Sequence, residues 1–228
     1  MPGIASLGVL FFFLLLIPYG AWKTRARIPQ LVALPREVYF RKVVTQQVLF
    51  AALAGLAVYA DHVRVSLGRV DLPLIAVAIL AVIVFVKLMQ PRWRAAVKRQ
   101  DARTLFIAPR NGRESAWWIA VSVAAGVCEE FVWRGVVAGI IWWLSDDWWT
   151  AALVTSVAFG AAHIVQGLRA AVIIGLASFA IQGYVYWAGG ILLAMVIHAS
   201  YDIVAGLTYG KLCDEAGIPL DATADVNV

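Results

Sequence analysis

Long apolar stretches separated by short polar connectors run along the chain from Ile4 to Tyr209. A hydrocarbon core of ~30 Å takes ~20 helical residues to cross. The pattern divides into seven such stretches: Ile4 to Trp22, Val43 to Ala60, Leu72 to Met89, Ser115 to Leu144, Trp149 to Val165, Ala170 to Trp187 and Gly190 to Tyr209. The predicted fold is therefore all-α, a polytopic transmembrane helical bundle of seven spans. The fourth stretch is longer than one crossing needs. Gly126 within it is positioned to bend it or to divide it, which would make eight.

Positive charge gives this pattern a direction. The first connector carries Lys23, Arg25, Arg27, Arg36, Arg41 and Lys42, the third carries Arg92, Arg94, Lys98, Arg99, Arg103, Arg110 and Arg113, and the fifth has Arg169. The even connectors are poor in Lys and Arg. By the positive-inside rule the odd connectors are cytoplasmic, so the N-terminus is outside and the C-terminus is in. Trp142, Trp143, Trp148 and Trp149 then form an outer aromatic belt around Asp146 and Asp147, with Trp117 and Trp118 marking the inner face. The first stretch lacks a basic leader and reads as a retained span rather than a secretory signal.

Composition narrows the classes further. The chain is 62% hydrophobic and 14% charged, which sets it apart from ordinary soluble domains. Its net charge of +5 is gathered in the connectors without aromatic interleaving, so no nucleic-acid partner is expected. Cys128 and Cys213 make neither a disulfide framework nor a Cys-rich zinc site. The segment after Lys211, acidic and poor in large apolar residues, is expected to be loosely ordered.

Candidate chemistry lies where charge meets the apolar stretches. Glu129, Glu130 and Arg134 are the only charges between Glu114 and Asp146. Helical rise puts Glu129 roughly 20 Å from either end of its stretch, near mid-depth. Glu130 and Arg134, spaced i,i+4, share a helix face and can pair, whereas Glu129 points about 100° away and stays free. His163 is the one ionisable residue of the fifth stretch, and His198 and Asp202 are again i,i+4 in the seventh. Counted from the outer ends, His163 falls at ~21 Å, Asp202 at ~18 Å, His198 at ~12 Å and Glu130 at ~22 Å. Ionisable residues at such depth are expensive and mark function, so these helices are expected to meet at one polar cavity.

These residues fall into three short patterns: Glu129-Glu130-Phe131-Val132-Trp133-Arg134-Gly135, Phe159 to His163, and His198 to Asp202. In order and spacing they resemble the EExxxRG, FxxxH and HxxxN/D motifs of the CAAX protease and bacteriocin-processing family of intramembrane proteases, also called Abi or CPBP, which is related to the type II CAAX prenyl endopeptidases. The resemblance covers the chain from about Ser115 to Tyr209. It divides the chain into an N-terminal three-span region (1–114), a catalytic helical core (115–210) and a C-terminal tail (211–228).

The resemblance implies an endopeptidase acting on membrane-associated proteins or peptides, lipidated ones included, in a prokaryotic cell membrane. Glu129 and His163 would activate water, His198 with Asp202 would stabilise the oxyanion, and Glu130 with Arg134 would support Glu129. One position departs from the eukaryotic type II enzymes. Their Asn at the last motif position can donate to an oxyanion, and an ionised Asp202 cannot. Asp202 must be protonated, orient His198 or ligate a metal. The metal-free reading is the one taken here; the alternative is zinc held by Glu129, His163, His198 and Asp202. Two rival functions use the same residues: a non-hydrolytic scaffold or chaperone with a retained polar cavity, and a proton or ion transporter.

Overall fold

The computed structural model describes residues 2–219. Eight helices follow in order: α1 (Ile4–Val32), α2 (Arg36–Ala60), α3 (Leu72–Lys98), the short α4 (Ala102–Ile107), α5 (Gly112–Ser145), α6 (Trp148–Ala162), α7 (Leu168–Ala188) and α8 (Leu192–Glu215). Their starts are set by polar residues that satisfy N–H groups a helix leaves unpaired. Asp71 accepts from the Leu74 amide before α3, Asn111 from the Glu114 amide before α5, and Asp147 from the amides of Trp149 and Thr150 before α6. Gly189, in the left-handed region at φ 72°, closes α7.

Six of these helices, all but α4 and α6, are long and apolar enough to cross a membrane. Leu49, Leu56 and Tyr59 on α2 and Ile79, Leu80, Ile83 and Leu88 on α3 are among the large apolar side chains left on the surface. Apolar exposure on this scale fits lipid. The molecule is a polytopic helical membrane bundle.

Three expectations about the helices change. The fourth stretch is one 34-residue helix, undivided at Gly126. A Cβ at Gly126 would meet the Ala199 side chain and the Met195 carbonyl, so this glycine lets α8 come close to α5 rather than bending α5. The irregularity lies further on, where Glu130–Val137 is wound as a π-helix. The fifth expected span is a helix of only 15 residues, about 22 Å by helical rise, which is too short to cross the core alone. At the C-terminal side α8 continues to Glu215. Cys213 and Ile218 pack with Leu105 and Ala108, and Arg110 Nη2 donates to the Ile218 carbonyl at 2.6 Å while pairing with Asp214 at 3.1 Å. The first residues of the expected loose tail are thus packed, because Arg110 and a small apolar cluster hold them. Residues 220–228 of that expectation lie outside the described residues.

Helix α5 sits at the centre. It packs against α2 on one side and α8 on the other, while α6 follows its last turns; α7 lies on α6 and α3 on α8. Phe13, Trp133, Val136, Val137, Ile140 and Phe159 form the main core. The connector 61–71 folds back over this core. Its Ser66 and Leu67 carbonyls accept from the amides of Ile191 and Leu192 at 3.0 and 3.1 Å, and Val65 occupies the space that a side chain at Gly135 would need.

Candidate active site

Glu130 and Arg134 stand in the π-helical segment of α5, a type of irregularity that recurs at functional sites. Glu130 is fully buried and Arg134 nearly so, and Arg134 Nη1 lies 3.2 Å from Glu130 Oε1. Desolvating two charges is costly, and such a pair holds only when further groups satisfy it. Here Arg134 Nη2 donates to Ser178 Oγ of α7 at 2.9 Å, Ser178 Oγ donates to Ser156 Oγ of α6 at 3.2 Å, and the guanidinium lies 4.4 Å from the centre of the Phe159 ring. One ion pair therefore ties α5, α6 and α7 together.

The same Glu130 oxygen reaches the third motif. His198 Nδ1 donates to Glu130 Oε1 at 2.8 Å, since a carboxylate only accepts. That bond turns the other ring nitrogen, Nε2, toward Asp202 Oδ2 at 3.4 Å and Glu129 Oε2 at 3.9 Å. Three carboxylates thus surround one imidazole. Asp202 is itself fixed by its backbone, whose carbonyl accepts from Trp118 Nε1 at 2.8 Å. Trp118 reaches into the helix contact, in a space left by Gly206.

Glu129 is held differently from its neighbour. Its Oε1 accepts from Gln47 Nε2 of α2 at 2.5 Å, while its buried Oε2, like Oε2 of Glu130, has no hydrogen-bond partner. His163 lies one residue beyond the end of α6. Its Nδ1 donates to the Phe159 carbonyl at 2.8 Å, one of the carbonyls a helix end leaves free. This bond engages Nδ1 and leaves Nε2 as the ring nitrogen available to another group. Phe159 sets the spacing of the site: its ring centre is 4.6 Å from that of His163 and 6.5 Å from that of His198.

The structure thus brings Glu129, Glu130, Arg134, His198 and Asp202 into one set of polar contacts. His163 joins them through Phe159, and among the described residues its side chain makes no hydrogen bond to Glu129 or His198. The expected pairs Glu130–Arg134 and His198–Asp202 are both present. Glu130 also accepts from His198, a contact the sequence patterns did not predict. Gln47 was not among the sequence candidates. Its signal was faint: Gln46 and Gln47 are a pair of amides inside the second apolar stretch. Ser178 carried even less signal.

Glu129, His163, His198 and Asp202 are chemically adequate zinc donors, and each histidine commits Nδ1 to a protein acceptor, as metal-bound histidines do. Yet among the described residues no three His, Cys, Asp or Glu side chains converge as ligands of one ion.

Residues 111–204 match the family model described as Type II CAAX prenyl endopeptidase Rce1-like. The matched segment holds all three motifs and spans less than half of the chain. Gln47 and the helix that carries it lie outside the matched segment. No curated protein matches the chain, and no solved structure does.

Proposed function

We propose that this protein is an intramembrane endopeptidase that hydrolyses peptide bonds of membrane-associated proteins or peptides, with Glu129 and His163 activating the attacking water. The observation that carries this reading is the state of Glu129. One oxygen is tied to Gln47, and the other is buried without a partner, facing the ring that Glu130 and Asp202 hold. A buried acceptor with no partner costs free energy unless something binds there, and a water is the smallest group that would.

In this mechanism a water bound to Glu129 Oε2 and His163 Nε2 yields a proton to one of them as its oxygen attacks the scissile carbonyl carbon. The carbonyl electron pair moves to oxygen. His198, carrying protons on both nitrogens, keeps one on Glu130 and offers the Nε2 proton to the oxyanion. Asp202 orients that nitrogen, a role that does not require Asp202 to donate. The intermediate collapses with cleavage of the C–N bond, and the departing amine takes the proton that the water gave up. Glu130 and Arg134 act by positioning.

The substrate class is membrane-associated proteins or peptides, lipidated ones included. The charge bias of the connectors supports an N-terminus outside and a C-terminus in the cytoplasm. In purified, folded protein in nanodiscs, Glu129→Ala and His163→Ala are each expected to lower cleavage of a quenched membrane peptide ~10²–10⁴-fold. Wild-type rates in either variant would sink the proposal. Activity is expected to survive chelators without stoichiometric zinc, whereas loss on chelation and recovery with added zinc would contradict the metal-free route.

A further inference from the structure

The matched segment 111–204 does not contain every residue that touches the reacting carboxylate. Gln47 comes from α2, one of the N-terminal helices that show no motif. Helix α2 packs along α5, and Gln47 Nε2 donates to Glu129 Oε1 across that contact. The bond has a geometric consequence for Glu129. With Oε1 held from the α2 side, the carboxylate plane is fixed, and Oε2 is the oxygen left free, 3.9 Å from His198 Nε2. No other side chain among the described residues donates a hydrogen bond to Glu129. Without Gln47 the carboxylate would turn about its side-chain torsions, and either oxygen could meet the histidine.

Gln suits this task on chemical grounds. Its amide donates without bringing a charge, so it holds the carboxylate without neutralising it as Arg134 does for Glu130. A Lys or Arg at position 47 would convert the second carboxylate into another closed ion pair. An apolar residue would leave both oxygens unheld.

We propose that Gln47 is a positioning residue of the hydrolytic site, fixing Glu129 by its Oε1 so that Oε2 is presented to the attacking water. This rests on the reading of Glu129 as the water-activating group. The α2 helix is then part of the enzyme's working core rather than an added anchor.

The test uses the full-length protein in nanodiscs with the same quenched membrane peptide. Gln47→Met keeps the side-chain length and removes both amide functions. It is expected to lower kcat about 10- to 100-fold, the scale that follows from misplacing a catalytic group by ~1 Å, with KM changed by less than about twofold. A purely structural role would instead lower the melting temperature and the folded fraction while leaving kcat per folded molecule unchanged. Gln47→Leu, measured per folded molecule, provides the same readout should the Met variant fold poorly. A wild-type kcat in the folded Gln47 variants, with Glu129→Gln inactive, overturns the positioning role and leaves the proposed function standing. A wild-type rate in Glu129→Gln overturns both.

Discussion

Glu129 and Glu130 are neighbours in the chain, yet they occupy two different regions of the bundle. On the Glu130 side, α5, α6, α7 and α8 close around a carboxylate that meets Arg134 and His198. On the Glu129 side, α2 offers one neutral amide and no cation, while each carboxylate keeps one buried oxygen without a hydrogen-bond partner. A residue step of about 100° around the helix separates them. One helix thus carries two carboxylates side by side: the first is neutralised by a cation, and the second meets a neutral amide.

The largest expected effect falls on the closed side. Arg134→Met leaves Glu130 buried without its cation and should destabilise the fold by ~3–5 kcal/mol, read from thermal melting in detergent. Combining it with Glu130→Met should recover much of that loss, because an apolar pair removes the uncompensated charge. The double variant should nevertheless cleave poorly, since His198 loses the acceptor of its Nδ1 proton. A double variant that cleaves at the wild-type rate would break the link between the closed side and His198.

Asp202 gives a graded test. Asp202→Ala should slow cleavage about 10- to 100-fold by releasing His198 Nε2, in line with the cost of small misplacements in a site. Asp202→Asn keeps an oxygen that can orient the ring and adds an amide that can donate to the oxyanion, so it should stay within about tenfold of wild type on the same scale. Equal losses in the two variants would show that the negative charge itself is required.

The smallest effect lies far from the site. The Thr150 hydroxyl and amide, with the Trp149 amide, hold the Asp147 carboxyl below its ordinary range. A lowered folded-state value means that this cap contributes above the unfolded aspartate pKa and is lost as pH falls through the folded one. Asp147→Ala should therefore lower the melting temperature slightly at neutral pH and make no difference once the pH lies below both values. Cleavage per folded molecule should not change.

Much of this arrangement was legible in the sequence because it is local. The i,i+4 pairs Glu130–Arg134 and His198–Asp202 follow from helical spacing. What sequence spacing could not show is lateral: which face of α2 meets α5, and that the Glu130 oxygen is shared with His198. Gln47 sits beside Gln46 within the second apolar stretch, and its partner is far away in sequence. Gly126 was misjudged for a related reason. A glycine in a long helix looks the same whether it bends the helix or admits a neighbour, and only the presence of Ala199 against it decides. The π-helical winding at Glu130–Val137 has no clear mark in residue type, and the packing of Cys213 and Ile218 depends on Arg110, which a count of apolar residues passes over.

The division of labour between the two carboxylates is tested most directly by the rate at which folded Glu129→Gln cleaves a membrane peptide under single-turnover conditions. Gln fills the same space and can still hydrogen-bond, but it cannot take a proton from water. The account predicts a protein that melts like wild type and whose cleavage falls at least ~10²-fold. Cleavage at the wild-type rate would contradict it.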